Sequence, residues 1–295
     1  MSDGASHGGG ILAFVVVACG STQPAPAPLE PERTGFVTVD AGSVSDDGCA
    51  EATRNIFVLS EARVLYSFNP PTLAFTEVGT LTCGAGIATP TSMAVDRKGT
   101  AWVRYSDGTL WKVNTSTLGC TATAYVSPDT NEAFFKYGMG FSSEASGSVA
   151  ERLFLSDNQG LGLAVLDTKR LALGYVGPYT GALAGQKSEL TGTGEGKLYG
   201  FFVTSPAQIA EVSKDSGAIV STKVLTGVEA GESWAFSFYG GDFYVYTTAS
   251  GAGAAGSDVT RYRPADDSIE VVKAKIGFKI VGAGVSTCAP VRGPR

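Results

Sequence analysis

The chain has 295 residues, a formal charge of −6, 39 glycines and only 17% charged residues against 43% hydrophobic ones. So much glycine with so little charge disfavours long exposed helices and suits short strands joined by tight turns. The modest acidic balance, without any Lys/Arg cluster, offers neither a basic stripe for nucleic acid nor a site for lipid headgroups.

In chain order the first feature is an apolar run, Ile11 to Ala18, that stops at Cys19 and is followed by Gly20 and a Pro-rich stretch, Ser21 to Arg33. The run is far below the roughly 18–20 residues of a membrane-spanning helix and fits the apolar region of a signal peptide, about 7–15 residues. Val16-Val17-Ala18-Cys19 resembles the lipobox of bacterial lipoproteins, in which the cysteine thiol is lipidated and becomes the mature N-terminus. Met1 to Gly10 departs from that pattern by carrying no Lys or Arg. The competing reading is a buried strand ending in a core or disulfide cysteine. Gly20 after the cysteine, where an Asp would signal otherwise, resembles sorting to the outer membrane. The expected organisation is a signal peptide over 1–18, a lipidated tether over 19–48, a β domain over 49–290 and a disordered tail over 291–295.

Assigning Cys19 to a lipid leaves Cys49, Cys83, Cys120 and Cys288. An even remainder in an exported chain predicts two disulfides, with three pairings formally possible. No C-x-x-C pair supports a zinc ribbon or a thioredoxin-like motif. The only histidine is His7, inside the expected leader. A mature chain without histidine cannot use Ser-His-Asp or Cys-His catalysis, so any chemistry would rest on carboxylates, Lys, Tyr or a hard cation such as calcium. No cofactor and no metal are expected.

Beyond the tether the chain repeats at a long period. Ser92 to Val95, Thr100 to Tyr105, Thr109 to Val113 and Cys120 to Val126 read as four strands separated by Asp/Gly or polar turns, with the alternation of half-buried strands. A looser copy follows from Tyr137 to Phe141, with later strands at Arg152 to Leu155, Gly162 to Leu166 and Leu171 to Val176. The pattern returns at Glu189 to Thr191, Lys197 to Val203, Gln208 to Val212 and Ala218 to Leu225. It returns again at Trp234 to Phe238, Asp242 to Thr248, Asp258 to Tyr262 and Ile269 to Lys273. Four antiparallel strands per repeat predict an all-β, single β-propeller.

Asn55 to Leu59, Arg63 to Phe68 and Leu73 to Leu81 supply three strands with no inner strand before them, while Ile280 to Thr287 is an inner strand with nothing after it. Pairing the two ends closes a fifth blade. Cys49 and Cys288 then flank the seam and are expected to be joined, and Cys83 and Cys120 pair between outer strands of adjacent blades.

The segments Ser92-Met93-Ala94-Val95-Asp96, Glu189-Leu190-Thr191-Gly192-Thr193-Gly194 and Val281 to Pro290 resemble those of an uncharacterised group of bacterial lipoproteins with a β-propeller domain, and more distantly NHL-like and YVTN-like propellers. The resemblance implies export and the propeller fold, and brings no activity with it.

Three apparent motifs read better as turns or packing. Thr191 to Leu198 lacks the first glycine and the hydroxyl residue of a phosphate loop. Gly282-Ala283-Gly284 lacks the rest of a dinucleotide fingerprint and suits an inner strand crowded at the axis. Asp157-Asn158-Gln159-Gly160 lacks the ligand order of a calcium loop. Trp102, Trp111, Trp234, Phe236, Phe238, Phe243 and Tyr244 are expected to fill the space between blades, with Trp234 also placed to reach the rim.

Propeller ligands bind where the segments leading into inner strands converge. That criterion selects Ser92, Lys136, Glu189, Glu232, Trp234 and Lys279 as a candidate ligand face; a solvated rim of ordinary ion pairs is the alternative. Two functions follow. One is a non-catalytic, monomeric, envelope-anchored binding or scaffolding propeller for a protein or glycan. The other is a glycoside hydrolase using Glu189 and Glu232, which requires the two carboxyls to face each other in a pocket; they are expected to lie too far apart or too exposed.

Overall fold

A computed structural model describes residues 48–251 and 255–293, all within one compact unit. The expected leader, Cys19 and the tether as far as residue 47 lie outside the described residues. Strands β1 (Ile56–Ser60), β2 (Val64–Asn69) and β3 (Ala74–Thr80) pair in order. Next come β4 (Pro90–Val95), β5 (Thr100–Tyr105), β6 (Leu110–Asn114) and β7 (Cys120–Ala122), forming the first complete blade. The second holds β8 (Tyr137–Ser143), β9 (Glu151–Asp157), β10 (Leu163–Leu166) and β11 (Leu173–Gly177). The third holds β12 (Ser188–Gly192), β13 (Leu198–Phe202), β14 (Gln208–Val212) and β15 (Ile219–Val224). The fourth holds β16 (Ser233–Tyr239), β17 (Asp242–Thr248), β18 (Asp258–Arg263) and β19 (Ser268–Lys273). Finally β20 (Ile280–Val285) pairs antiparallel with β1, Ile56 opposite Val285 and Val58 opposite Ala283, completing the fifth blade from both ends of the described chain. The protein is a five-bladed β-propeller.

Composition decides which strand lies where. β8 and β12, built apart from Glu189 from small, apolar and hydroxyl residues, are buried at every position, whereas β3 and β15 mix Thr, Ser, Lys or Glu with apolar residues and are largely exposed. Five apolar clusters fill the five gaps between neighbouring blades. The strand aromatics lie in these gaps: Trp102 between the first and second blades, Phe236, Phe238 and Phe243 between the third and fourth, and Tyr244 between the fourth and fifth. At the axis the inner strands approach too closely for side chains. A Cβ added to Gly284 would lie 2.9 Å from the Val95 backbone nitrogen, and one on Gly282 would lie 3.0 Å from that of Met93.

One strand is shorter than its pattern predicts. The segment from Cys120 pairs only as far as Ala122. Thr123 still bonds the Leu110 carbonyl, but Tyr125 then turns in against the Tyr137 ring, 6.4 Å between centroids, and Pro128 has no N–H to extend a ladder. The glycine-rich segment after β12 is a turn, closed by Thr193 N–H to the Lys197 carbonyl at 3.0 Å. Asp157 closes another, its Oδ2 accepting from the Gln159 and Leu161 amides at 3.0 Å each.

The disulfides join Cys49 to Cys288, 239 residues apart, and Cys83 to Cys120, 37 apart, with Cα separations of 5.8 and 5.2 Å. The first clasps the seam where β20 meets β1. The second ties the segment after β3 to the outer strand of the next blade. Val291 packs against the cluster between the third and fourth blades, and the Pro290 carbonyl accepts from Gly240 at 2.7 Å.

Candidate functional site

In an antiparallel blade the start of the innermost strand and the turn between the second and third strands fall at the same end. At that end of the ring a cavity of about 390 Å³ opens, lined by residues of all five blades. Lys136 and Tyr137 come from the start of β8, Glu189 from β12, Glu232, Ser233 and Trp234 from the start of β16, and Lys279 and Val281 from the fifth blade.

Glu189 forms the floor. It is only 3% exposed, and its Oε1 accepts from the Ser92 hydroxyl at 2.6 Å and from the Met139 amide at 3.2 Å. Burial pushes its carboxyl up to about 8, outweighing these two hydrogen bonds, which favour the charged form. The carboxyl is therefore mostly protonated at neutral pH. Ser92 sits behind this floor, fully buried, and holds Glu189.

The mouth is ionic. Lys279 Nζ lies 3.1 Å from Glu61 Oε1 and 3.1 Å from Glu232 Oε1, so one ammonium holds two carboxylates. Lys187 Nζ stands 4.6 Å above the Trp234 ring, covering one face of it. Lys136 is exposed and makes no ion pair among the described residues. Glu189 and Glu232, read from the sequence as too far apart or too exposed, line the same cavity, one as its floor and the other at its mouth.

Glu61, Ser106 and Asn158 also line the cavity and were not selected by inner-strand position. Each lies in a turn between the second and third strands of a blade, so strand parity would have placed them at this end. Arg104 gave no sequence signal. It is fully buried one layer behind the wall, where Nη1 donates to Thr91 Oγ1 at 3.0 Å and to the Tyr105 carbonyl at 2.6 Å, and Nη2 to the Phe135 carbonyl. Its guanidinium lies 5.2 Å from the Tyr137 ring centroid. No carboxylate pairs with it among the described residues.

A second titratable cluster occupies the opposite end of the axis. Glu151 accepts from the Arg97 amide and the Thr287 hydroxyl, each at 2.8 Å, and burial pushes its carboxyl up to about 7. Arg97 also reaches Thr287 Oγ1 and Cys49 Sγ, so this cluster adjoins the clasped seam. Among the described residues no group of three or more His, Cys, Asp or Glu is placed to hold a metal ion.

No protein-family model matches the chain, and no curated protein sequence matches it. Solved structures do show likeness. The chain is similar to a protein of unknown function from Bacteroides caccae, at 12% identity over 78% of this chain and 97% of that one, with a TM-score of 0.44. It is also similar to glutaminyl cyclase from Myxococcus xanthus, at 15% identity over 68% and 72%, TM-score 0.40. A third likeness is to regucalcin, a calcium-binding protein from Agrobacterium tumefaciens, at 12% identity over 70% and 66%, TM-score 0.40.

Proposed function

We propose that this protein is an exported, lipid-anchored, monomeric propeller that binds a protein or glycan partner of the cell envelope through its funnel, without catalysing a reaction. The observation that carries the reading is the commitment of the funnel carboxylates. Glu189 is engaged by Ser92 and Met139, and Glu232 by Lys279, while Lys136, Asn158 and Trp234 line the cavity toward a ligand. A cavity of this size with a few convergent polar groups is the usual form of a ligand site. Two disulfides suit an oxidising compartment and support export; the lipobox-like Val16 to Cys19 supports the anchor.

The second reading is a glycoside hydrolase. It is favoured by one observation: a carboxyl held protonated, Glu189, shares its cavity with an ion-paired carboxylate, Glu232. Glycan-array binding and envelope pull-down with the soluble form beginning after Arg33 distinguish the two. Binding should be retained without turnover and lost in Trp234→Ala. Hydrolysis of a bound glycan that disappears in both Glu189→Gln and Glu232→Gln would replace the binding reading with the enzymatic one.

A further inference from the structure

The funnel is not electrostatically uniform. The two carboxylates at its mouth, Glu61 and Glu232, are both held by Lys279. The lining supplied by the first and second blades contains no carboxylate: it comprises Lys136, Tyr137, Asn158, Ser106 and the segment Thr89 to Thr91. Lys136 carries an unpaired charge there. Behind Thr91 and Tyr137 the buried Arg104 adds a second positive charge, in contact with no carboxylate and opposed only at longer range by Asp107, and an arginine stays protonated even when desolvated. Its Nε has no hydrogen-bond partner among the described residues. The floor adds no negative charge at neutral pH, because Glu189 is mostly protonated. The lining of this sector thus offers a ligand one cation and no carboxylate, Asp107 and Asp157 being engaged in their own turns, within a chain whose formal charge is −6.

The neutral groups there can donate. Ser106 Oγ accepts from the Thr89 amide at 3.1 Å, which leaves its own proton for a ligand. The Asn158 side-chain amide has two donors and lines the same cavity. We propose that the sector formed by Lys136, Ser106 and Asn158 is a carboxylate-binding subsite for a small organic acid of the size of an acidic sugar, with Lys136 as the ion-pair partner and Arg104 as a fixed charge behind the wall. The inference rests on the funnel being a ligand site. A monoanion fits better than a phosphate dianion, because only one cation is accessible and a second ligand charge would be desolvated without a partner.

The test is a titration of the soluble chain at pH 7 with the monoanions glucuronate, gluconate and benzoate, and with glucose and glucuronate methyl ester as neutral counterparts. The readout is the indole N–H signal of Trp234, assigned with Trp234→Phe. Glucuronate should bind saturably in the millimolar range or tighter, and the methyl ester at least tenfold more weakly. Lys136→Met should weaken glucuronate by about tenfold, as loss of about 1.4 kcal/mol requires, and Lys169→Met, at an exposed turn of the second blade, should not. Equal binding of ester and acid, or full affinity in Lys136→Met, would overturn the carboxylate subsite and leave the funnel as a binding site. Absence of saturable binding for all three acids up to roughly 10 mM would also overturn it; an envelope partner captured by the wild type but not by Trp234→Ala would still support the broader reading.

Discussion

The Ser92 hydroxyl of β4 donates to Glu189 Oε1 of β12 at 2.6 Å, joining inner strands of the first and third blades across 97 residues of sequence. The Met139 amide of the intervening blade reaches the same oxygen, so one buried carboxyl ties three inner strands together near the axis. An acid placed there must stay largely neutral, because desolvation of its charged form is only partly offset by two donors.

That placement makes stability pH-dependent. Glu189 has a folded pKa of about 8 against an ordinary value of 4.5, so the folded state binds the proton more tightly. Its contribution is complete below the unfolded pKa and falls as pH rises from about 4.5 to about 8. Glu151, at about 7, acts with the same sign over a narrower window. Glu189→Gln keeps a neutral side chain whose amide oxygen can still accept from Ser92 and Met139, and should lose less stability than wild type between pH 5 and 9, by about 2 kcal/mol or more. Denaturant unfolding across that range checks it, and parallel curves for the two proteins would refute the assignment.

Ser92→Ala removes a donor that favours the charged carboxylate. The Glu189 pKa should therefore rise further. Carboxyl-selective NMR titration reads the shift directly, and a fall would show that Ser92 does not donate to it in solution.

The two disulfides should differ in weight. In the chain-entropy treatment a bridge spanning 239 residues contributes about 5 kcal/mol and one spanning 37 about 4 kcal/mol. Cys49→Ser/Cys288→Ser should thus lower the melting temperature more than Cys83→Ser/Cys120→Ser. Non-reducing peptide mapping that joined Cys49 to Cys83 or Cys120 would contradict the closure itself.

Crowding at the axis predicts intolerance of a single methyl. Gly284→Ala would press on the Val95 nitrogen and side chain and should cost about 1–3 kcal/mol. Gly119→Ala, whose nearest neighbour would be the Thr117 hydroxyl at 3.4 Å, should be close to neutral. Equal melting temperatures for the two variants would show that the inner strands can separate at little cost.

Lipidation has a separate test in cells. Cys19→Ser should lose labelling by a fatty-acid probe and leave the membrane fraction. Persistence of both would remove the anchor from the proposed function.

Much of this was legible in the residues. Turn chemistry such as Asp107-Gly108 and Gly240-Gly241 separated the strands, and an unpartnered inner strand at Ile280 beside three unstarted strands at Asn55 disclosed the closure. The cysteine pairing followed from that layout. The end of β7 was not legible, because Tyr125 leaves the ladder for a ring contact with Tyr137 that no local pattern encodes.

The sequence by itself determined the fold, the closure and the end of the ring where Lys136, Glu189, Glu232, Trp234 and Lys279 converge, because strand periodicity and repeat position are local properties that an antiparallel blade converts directly into place. Only the tertiary structure decided what those residues do. It put Ser92 behind the floor, gave Lys279 two carboxylates to hold, left Lys136 unpaired and buried Arg104 behind Thr91. Charge state and pairing depend on burial and on partners brought together from distant parts of the chain, as Ser92 with Glu189 and Lys279 with Glu61 and Glu232, and strand periodicity encodes neither.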